Sequence, residues 1–291
     1  MKTFARALFG LAVATAPCSA SADLGVAFVH GTGRQTDAYH DYWTPEFVDS
    51  IASGLPDPSL VMVASCDFSQ AMWHDDAAGC LADQMLELVE DRGADEIVVV
   101  THSNGGNVVR WILSNPTYDP RYPRIIDAIR WVDALAPSSL GTPLADAAID
   151  GTTFETSVGW LFGYGNDAVA MQQTSTMALY NSQWLLGTEG RPALPVGFWA
   201  VVGTDVQSSP FDPDSQCGGY ARNVGLELTQ NWLGDCSDGF LECRSQSGAG
   251  ELWRYDTDFT AGGEPLSHAQ SRRACFGLDG LLRADLEEAG S

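Results

Sequence analysis

Lysine is nearly absent from this chain. Lys2 is the only one in 291 residues, and 15 basic residues face 38 acidic ones for a formal charge of −23. That excess argues against nucleic acid and anionic membrane as partners, since either needs clustered cations on the protein. The preference for arginine over lysine reads equally well as adaptation to salt or as a base-composition bias. C-x-x-C pairs are missing, which sets aside zinc ribbons and thioredoxin-type sites. No apolar run reaches the ~20 residues that cross a bilayer. Internal repeats, low-complexity tracts and an interdomain linker are lacking too. What is present is core material: 45% hydrophobic and 10% aromatic residues exclude intrinsic disorder.

The N-terminus has three parts: Lys2 and Arg6, an apolar run from Ala7 to Ala16, and small residues ending Ser19-Ala20-Ser21-Ala22. This is the pattern of a secretory signal with cleavage after Ala22. Cys18 follows Pro17 rather than a lipoprotein-type box, so a lipid anchor is not expected. Removing residues 1–22 leaves 269 residues as one domain, 23–291, and six cysteines: Cys66, Cys80, Cys217, Cys236, Cys243 and Cys275. An even number in an exported chain implies disulfides. The economical pairing is Cys66 with Cys80 and a cluster among the last four.

Short apolar runs alternate with segments of helical period. Leu24 to Val29, Leu60 to Ala64, Glu96 to Val100, Ala128 to Ala136 and Val196 to Val202 read as buried strands. Thr44-Pro45-Glu46 opens a helix that runs toward Gly54, with proline where its missing N–H costs little. Asp75 to Arg92 is helical, with Leu81, Met85, Leu88 and Val89 on one face and Gly93 as its stop. A further helix carries Val108, Val109, Ile112 and Leu113. Strands buried on both faces and alternating with helices predict a mostly parallel sheet in a three-layer α/β domain. Residues 140–190 interrupt the rhythm with Trp160-Leu161-Phe162 and a helix-like stretch from Asn166 to Leu185. They read as a cap or lid, or else as a surface excursion with a small core of its own. Beyond residue 205, the Gly, Asp, Ser and Cys content predicts long stapled loops.

The strand at Ile97–Val100 runs into Thr101-His102-Ser103-Asn104-Gly105-Gly106, and a helix follows at once. That strand–turn–helix context is the setting of a nucleophile elbow, with Thr101 in place of the first glycine of G-x-S-x-G. A serine hydroxyl needs a base oriented by a carboxylate. Of five histidines, His30 and His102 read as structural. His40 and His74 precede the serine, and His74-Asp75-Asp76 reads as a helix cap rather than a metal site. His268 alone fits the order serine, acid, histidine. Asp205 and Asp238 compete for the acid on near-equal terms. Backbone N–H groups of Asn104 and of Thr32, in Val29-His30-Gly31-Thr32-Gly33, are placed to form an oxyanion hole. A phosphate loop is set aside there, because no lysine follows and the spacing is not G-x-G-x-x-G.

These residues resemble the secreted bacterial triacylglycerol lipases, which are α/β-hydrolases. Val29-His30-Gly31 resembles the oxyanion strand, and Thr101 through Gly106 the lipase box. Ala136-Pro137 with Gly141-Thr142-Pro143 and Ala145-Asp146 is similar to the segment after the next strand. Ser237-Asp238-Gly239-Phe240 is similar to the acid loop, and Thr176-Met177 through Tyr180-Asn181 to the helix before the penultimate strand. The resemblance implies an α/β-hydrolase fold, with helices on both faces of the sheet and a short cap insertion. It favours Asp238 over Asp205 as the acid. It further implies a secreted serine ester hydrolase that cleaves lipid esters without a cofactor, at a lipid–water interface or in solution. Some of these lipases hold calcium through an aspartate two residues after the histidine; Gln270 stands there here, so no metal is expected. Trp160, Leu161 and Phe162 are candidate walls of the acyl site, and the net acidity favours a neutral substrate. The alternatives are the same triad acting on another acyl group (a polyester depolymerase, an acyltransferase or a peptidase) and a non-catalytic binding module.

Overall fold

The computed structural model describes residues 23–150 and 166–290. The expected leader at 1–22 and the expected acyl walls Trp160, Leu161 and Phe162 lie outside the described residues. The strands are β1 (Leu24–Val29), β2 (Gly33–Arg34), β3 (Val61–Val63), β4 (Asp67–Phe68), β5 (Glu96–His102), β6 (Ile129–Leu135), β7 (Gly197–Val202) and β8 (Glu251–Tyr255). Six of them form a parallel sheet in the order β3-β1-β5-β6-β7-β8, and β2 pairs antiparallel with β4. The helices are α1 (Ala38–Asp41), α2 (Pro45–Ala52), α3 (Cys80–Leu86, with π turns at Asp75–Gly79 and Glu87–Asp91), α4 (Gly105–Ser114), α5 (Tyr122–Ala128), α6 (Pro143–Ile149), α7 (Asp167–Met171), α8 (Thr174–Gln183), α9 (Tyr220–Gln230), α10 (Cys243–Gln246) and α11 (Leu278–Ala289).

The two-residue period of the strands distributes their side chains to both faces of the sheet. Ala27, Val29, Ile97, Val99, Val132 and Ala134 face one core with Leu81, Met85, Val108, Ile112 and Ile125 of α3, α4 and α5. Val26, Phe28, Val98, Val100 and Leu135 face the other, against Phe47 and Ile51 of α2 and Leu282 and Leu286 of α11. Local chemistry sets the helix ends. Thr44 caps α2 by accepting from the Phe47 N–H, Pro45 occupies the first turn, and Gly93 takes a φ of 83° beyond the π turn. The chain leaves β1 for one side of the sheet and returns through β5 on the other. The carboxyl ends of β1 and β5 therefore form the crevice where such sheets bind ligands.

All five expected strands form. The region after residue 205 departs from the expected loops, since it contains α9, the edge strand β8 and α11. The helix-like stretch expected over Asn166 to Leu185 is two helices, α7 and α8, with Asn166 capping the first through the Val169 N–H. Within the insertion, Leu144, Ala145 and Val169 pack with Val206, Leu226 and Phe240 as a satellite core at the carboxyl end of the sheet. Cysteines pair as Cys66–Cys80, Cys217–Cys275 and Cys236–Cys243.

Candidate active site

Ser103 stands between β5 and α4 with φ at 56°, a left-handed backbone that the turn imposes on a non-glycine residue. Its N–H donates to the Leu135 carbonyl at 3.0 Å, which ties the elbow to β6. The packing around the serine demands glycine at two places, Gly105 after it and Gly31 in the loop that follows β1. A Cβ on Gly105 would lie 2.2 Å from the His30 carbonyl oxygen, and one on Gly31 would lie 2.4 Å from the Tyr42 hydroxyl and 2.9 Å from Ser103 Cβ.

His268 arrives from a distant loop and is fixed from three sides. Its Nε2 is 3.1 Å from Ser103 Oγ, and its Nδ1 is 2.7 Å from Asp238 Oδ2. Its backbone N–H donates to the Asp238 carbonyl at 2.8 Å. Asp238 is fully buried, and its Oδ1 accepts from the Phe240 and Leu241 N–H groups at 2.9 and 2.7 Å. Since the carboxylate only accepts, Nδ1 carries the proton, and the free lone pair of Nε2 faces the serine hydroxyl. The Cys236–Cys243 disulfide brackets this loop. Asp205, by contrast, is exposed and accepts from the Val206 N–H and Gln230 Nε2. The structure thus brings Ser103, His268 and Asp238 together and leaves Asp205 outside.

The other histidines have structural partners. His30 is buried: Nδ1 donates to the Gly31 carbonyl at 2.7 Å, Nε2 accepts from Cys66 N–H at 3.3 Å, and burial lowers its pKa to about 4. His102 Nε2 donates to the His268 carbonyl at 3.0 Å, while Nδ1 accepts from the Tyr42 hydroxyl at 2.5 Å. Burial first, and then His268 and Arg272, hold His102 well below the usual imidazole range, so it stays neutral. His74 Nδ1 accepts from the Asp76 N–H as a helix cap, and exposed His40 pairs with Asp37 at 2.7 Å.

Asn104 is buried and stands at the N-cap of α4, where the next N–H groups are already taken: Gly106 donates to the Ser103 carbonyl at 3.1 Å and Asn107 to the Asn104 carbonyl at 2.9 Å. Thr32 follows Gly31 across the crevice. Its Oγ1 accepts from Gln172 Nε2 at 2.9 Å, and the same amide donates to the Ala168 carbonyl. Gln172 thus braces the Thr32 loop from the C-cap of α7. A cavity of about 260 Å³ lies over Ser103 and His268, lined among others by the apolar Leu226, Phe240 and Ala269, the cationic Arg222 and Arg272, and the acidic Asp41. The Phe240 ring stacks on the His268 imidazole at 4.6 Å. Among the described residues, no group of three His, Cys, Asp or Glu side chains is placed to hold a metal ion. Gln270 bridges its own loop, accepting from Ser267 N–H at 2.8 Å and donating to the Asp214 carbonyl.

Sequence reasoning missed Tyr42, Gln172, Arg222 and Arg272. The one available signal was the Arg272-Arg273 doublet just after His268 in a chain with few cations.

No family model matches the sequence, and no curated protein does either. Among solved structures, the chain is similar to the mature form of lipase BlEst2 from Bacillus licheniformis, with a TM-score of 0.65 at 16% identity over 95% of this chain and 94% of that one. It is also similar to EstA from Clostridium botulinum, with a TM-score of 0.55 at 13% identity over 91% and 87% of the two chains. Lipase 1 from Pelosinus fermentans gives 0.54 at 12% identity over 93% and 99%. These likenesses, together with the parallel six-stranded sheet, show an α/β-hydrolase fold. Among the described residues, no helix is long and apolar enough to cross a membrane.

Proposed function

We propose that this protein is a serine hydrolase of carboxylic esters. The continuous hydrogen-bond chain from Ser103 through His268 to buried Asp238, at the switch point of the sheet, carries this reading. Ser103 Oγ attacks the acyl carbonyl while His268 Nε2 takes its proton, and Asp238 stabilises the imidazolium. Backbone N–H groups of Thr32 and Asn104 receive the negative oxygen of the tetrahedral intermediate. His268 then returns the proton to the leaving alkoxide. Water activated by the same imidazole cleaves the acyl-enzyme and restores Ser103.

Lipid esters, acylglycerols included, are the substrate class that the sequence resemblance implies. The apolar lining residues Leu226, Phe240 and Ala269 support an acyl chain beside the nucleophile. Among the described residues the cavity, at about 260 Å³, falls just below the usual range of ligand sites, which supports a short chain. Three disulfides fit an oxidising compartment, and with the N-terminal pattern they support export of the chain.

The test is hydrolysis of para-nitrophenyl esters of increasing acyl length by the wild type and by Ser103→Ala. We expect a kcat loss of about 10⁴-fold or more in the variant and a wild-type optimum at short acyl chains. Equal rates in the two proteins would remove Ser103 as nucleophile. If neither turns over any ester and a phosphonate probe leaves Ser103 unlabelled, a non-catalytic module becomes the better account.

A further inference from the structure

We propose that the cavity beside Ser103 recognises an anionic group on its substrate, a phosphate or a carboxylate, through Arg222 and Arg272. The substrate would then be an anionic amphiphile, an inference that rests on reading Ser103 as an ester-cleaving nucleophile. The whole chain carries −23, yet two of its few cations line this one small cavity. A third, Arg273, follows directly in the chain.

Several of the chain's other surface arginines have carboxylate partners, while Arg34, Arg92, Arg191 and Arg254 have no ion pair among the described residues. Arg121 pairs with Asp83 and Asp119, Arg130 with Glu96, and Arg244 with Glu242. Among the described residues, no ion pair reaches Arg222, Arg272 or Arg273, although acidic side chains outnumber basic ones more than twofold. Their known contacts are neutral: Arg272 and Arg273 both donate to the Tyr42 carbonyl, and the Arg272 guanidinium lies 4.1 Å over the Tyr42 ring. The exposed Asp41 is the one acidic side chain on the cavity wall.

Arg272 and Arg273 are half-buried like charges, a costly arrangement unless a counter-charge arrives. Burial first, and then the neighbouring cations Arg272 and Arg222, lower the Arg273 pKa to about 9; burial and Arg222 lower that of Arg272 as well. An oxyanion entering from solvent would relieve that strain, and a guanidinium offers the planar fork that phosphate and carboxylate fit. The arginines and the apolar Leu226 and Phe240 line the same cavity as the nucleophile, so one ligand can carry both an acyl chain and an anion. The net acidity of the molecule does not decide this local field, which the nearest charges dominate within a Debye length of about 8–10 Å.

The experiment compares matched esters: para-nitrophenyl hexanoate against mono-para-nitrophenyl adipate for a carboxylate, and dibutyrylglycerol against dibutyryl glycerophosphate for a phosphate. We expect the wild type to favour the anionic member of at least one pair by about tenfold in kcat/KM. That preference should shrink from about 50 mM to about 500 mM salt. Arg222→Gln, at an exposed position, should drop the ratio toward one with an unchanged circular dichroism spectrum; Arg272 also holds Tyr42, so its replacement tests folding as well. Calorimetry of Ser103→Ala with adipate and with dibutyryl glycerophosphate gives a readout free of turnover, and adding Arg222→Gln should weaken the bound anion about tenfold. Hydrolysis of the neutral esters with no anionic preference and no anion binding would overturn this inference and leave ester hydrolysis standing. No turnover, with anion binding that depends on Arg222, would overturn the hydrolase reading and leave the anion site standing.

Discussion

Tyr42 sits at the start of a chain of hydrogen bonds that ends on the backbone carbonyl of His268. Its hydroxyl donates to His102 Nδ1, which leaves the His102 proton on Nε2, where it meets the His268 carbonyl. The His268 carbonyl can only accept and so requires the proton on Nε2, and the Tyr42 hydroxyl completes that tautomer by donating to Nδ1. Tyr42→Phe keeps the ring under Arg272 but removes the donor. His102 can then turn or shift its proton, and the His268 carbonyl loses a fixed partner. We expect kcat for a neutral ester to fall about tenfold or more while KM changes little, since sub-ångström misplacement of a base raises the barrier to chemistry more than it weakens binding. An unchanged kcat would remove Tyr42 from the positioning of the site. At this scale the sequence was legible where chemistry is local. Ser103 was readable as a candidate nucleophile from the strand and helix around it, and His268 as a candidate base from its order in the chain. The choice of Asp238 over Asp205 was not legible from residue type, because both are loop aspartates near small residues. Burial and the two N–H donors of Phe240 and Leu241 separate them, and both depend on the folded loop. Arg222 was illegible for the same reason: it is 50 residues from Arg272 in sequence and joins it only at the cavity.

At the scale of elements, glycine-to-alanine exchange has opposite signs at two helix positions. Gly105 lies where α4 presses against the end of β1, and an added Cβ would meet the His30 and Val29 carbonyl oxygens at 2.2 and 2.7 Å. Backbone oxygens cannot step aside without moving the strand that carries the Thr32 loop. Gly105→Ala should therefore cost about 1–3 kcal/mol or more, lower Tm by several degrees and abolish turnover with it. Gly280 lies in α11 with nothing within 4 Å of the added Cβ. There alanine only removes backbone freedom from the unfolded chain, so Gly280→Ala should add about 0.5–1 kcal/mol. Thermal unfolding of the two variants beside the wild type checks both signs, and a stabilised Gly105→Ala would contradict the close packing of α4 on β1. The four interior strands β1, β5, β6 and β7, and the edge strand β3, were readable because each carries a run of buried or half-buried apolar residues. The strand β8 was not: Glu251–Tyr255 is an edge strand, largely exposed, and its sequence Glu-Leu-Trp-Arg-Tyr carries two charges. Its place is set by hydrogen bonds to β7, which no hydrophobic pattern announces. The helix α11 does carry a stripe, Leu278, Leu282 and Leu286, but glycine-rich and cysteine-rich surroundings obscured it.

Over the whole molecule, the strongly acidic composition extends into the core. Asp133 on β6 is almost fully buried and accepts from Trp131 Nε1 at 3.3 Å, and Asp285 reaches it from α11. Burial, reinforced by the neighbouring carboxyl, raises the Asp133 pKa well above the usual carboxylate range; burial also raises that of Asp285. The folded protein therefore binds protons here that the unfolded chain has already released. The stabilisation is fully present below the unfolded carboxylate pKa of about 4 and is lost as pH rises through the folded value. At neutral pH the pair strains the junction between the sheet and the C-terminal helix, beside a surface already carrying excess negative charge. Asp133→Asn removes the buried charge, keeps the shape and gives Asp285 a donor. It should raise Tm at pH 7 by a few degrees, equivalent to about 1–2 kcal/mol. The difference between variant and wild type should shrink as pH falls to about 4, because protonation of Asp133 then does in the wild type what the substitution does at every pH. Unfolding both proteins across that range isolates this pair from the other carboxylates, whose titration the two proteins share. A stability difference that stays constant with pH would mean that Asp133 and Asp285 do not share a proton in the folded protein.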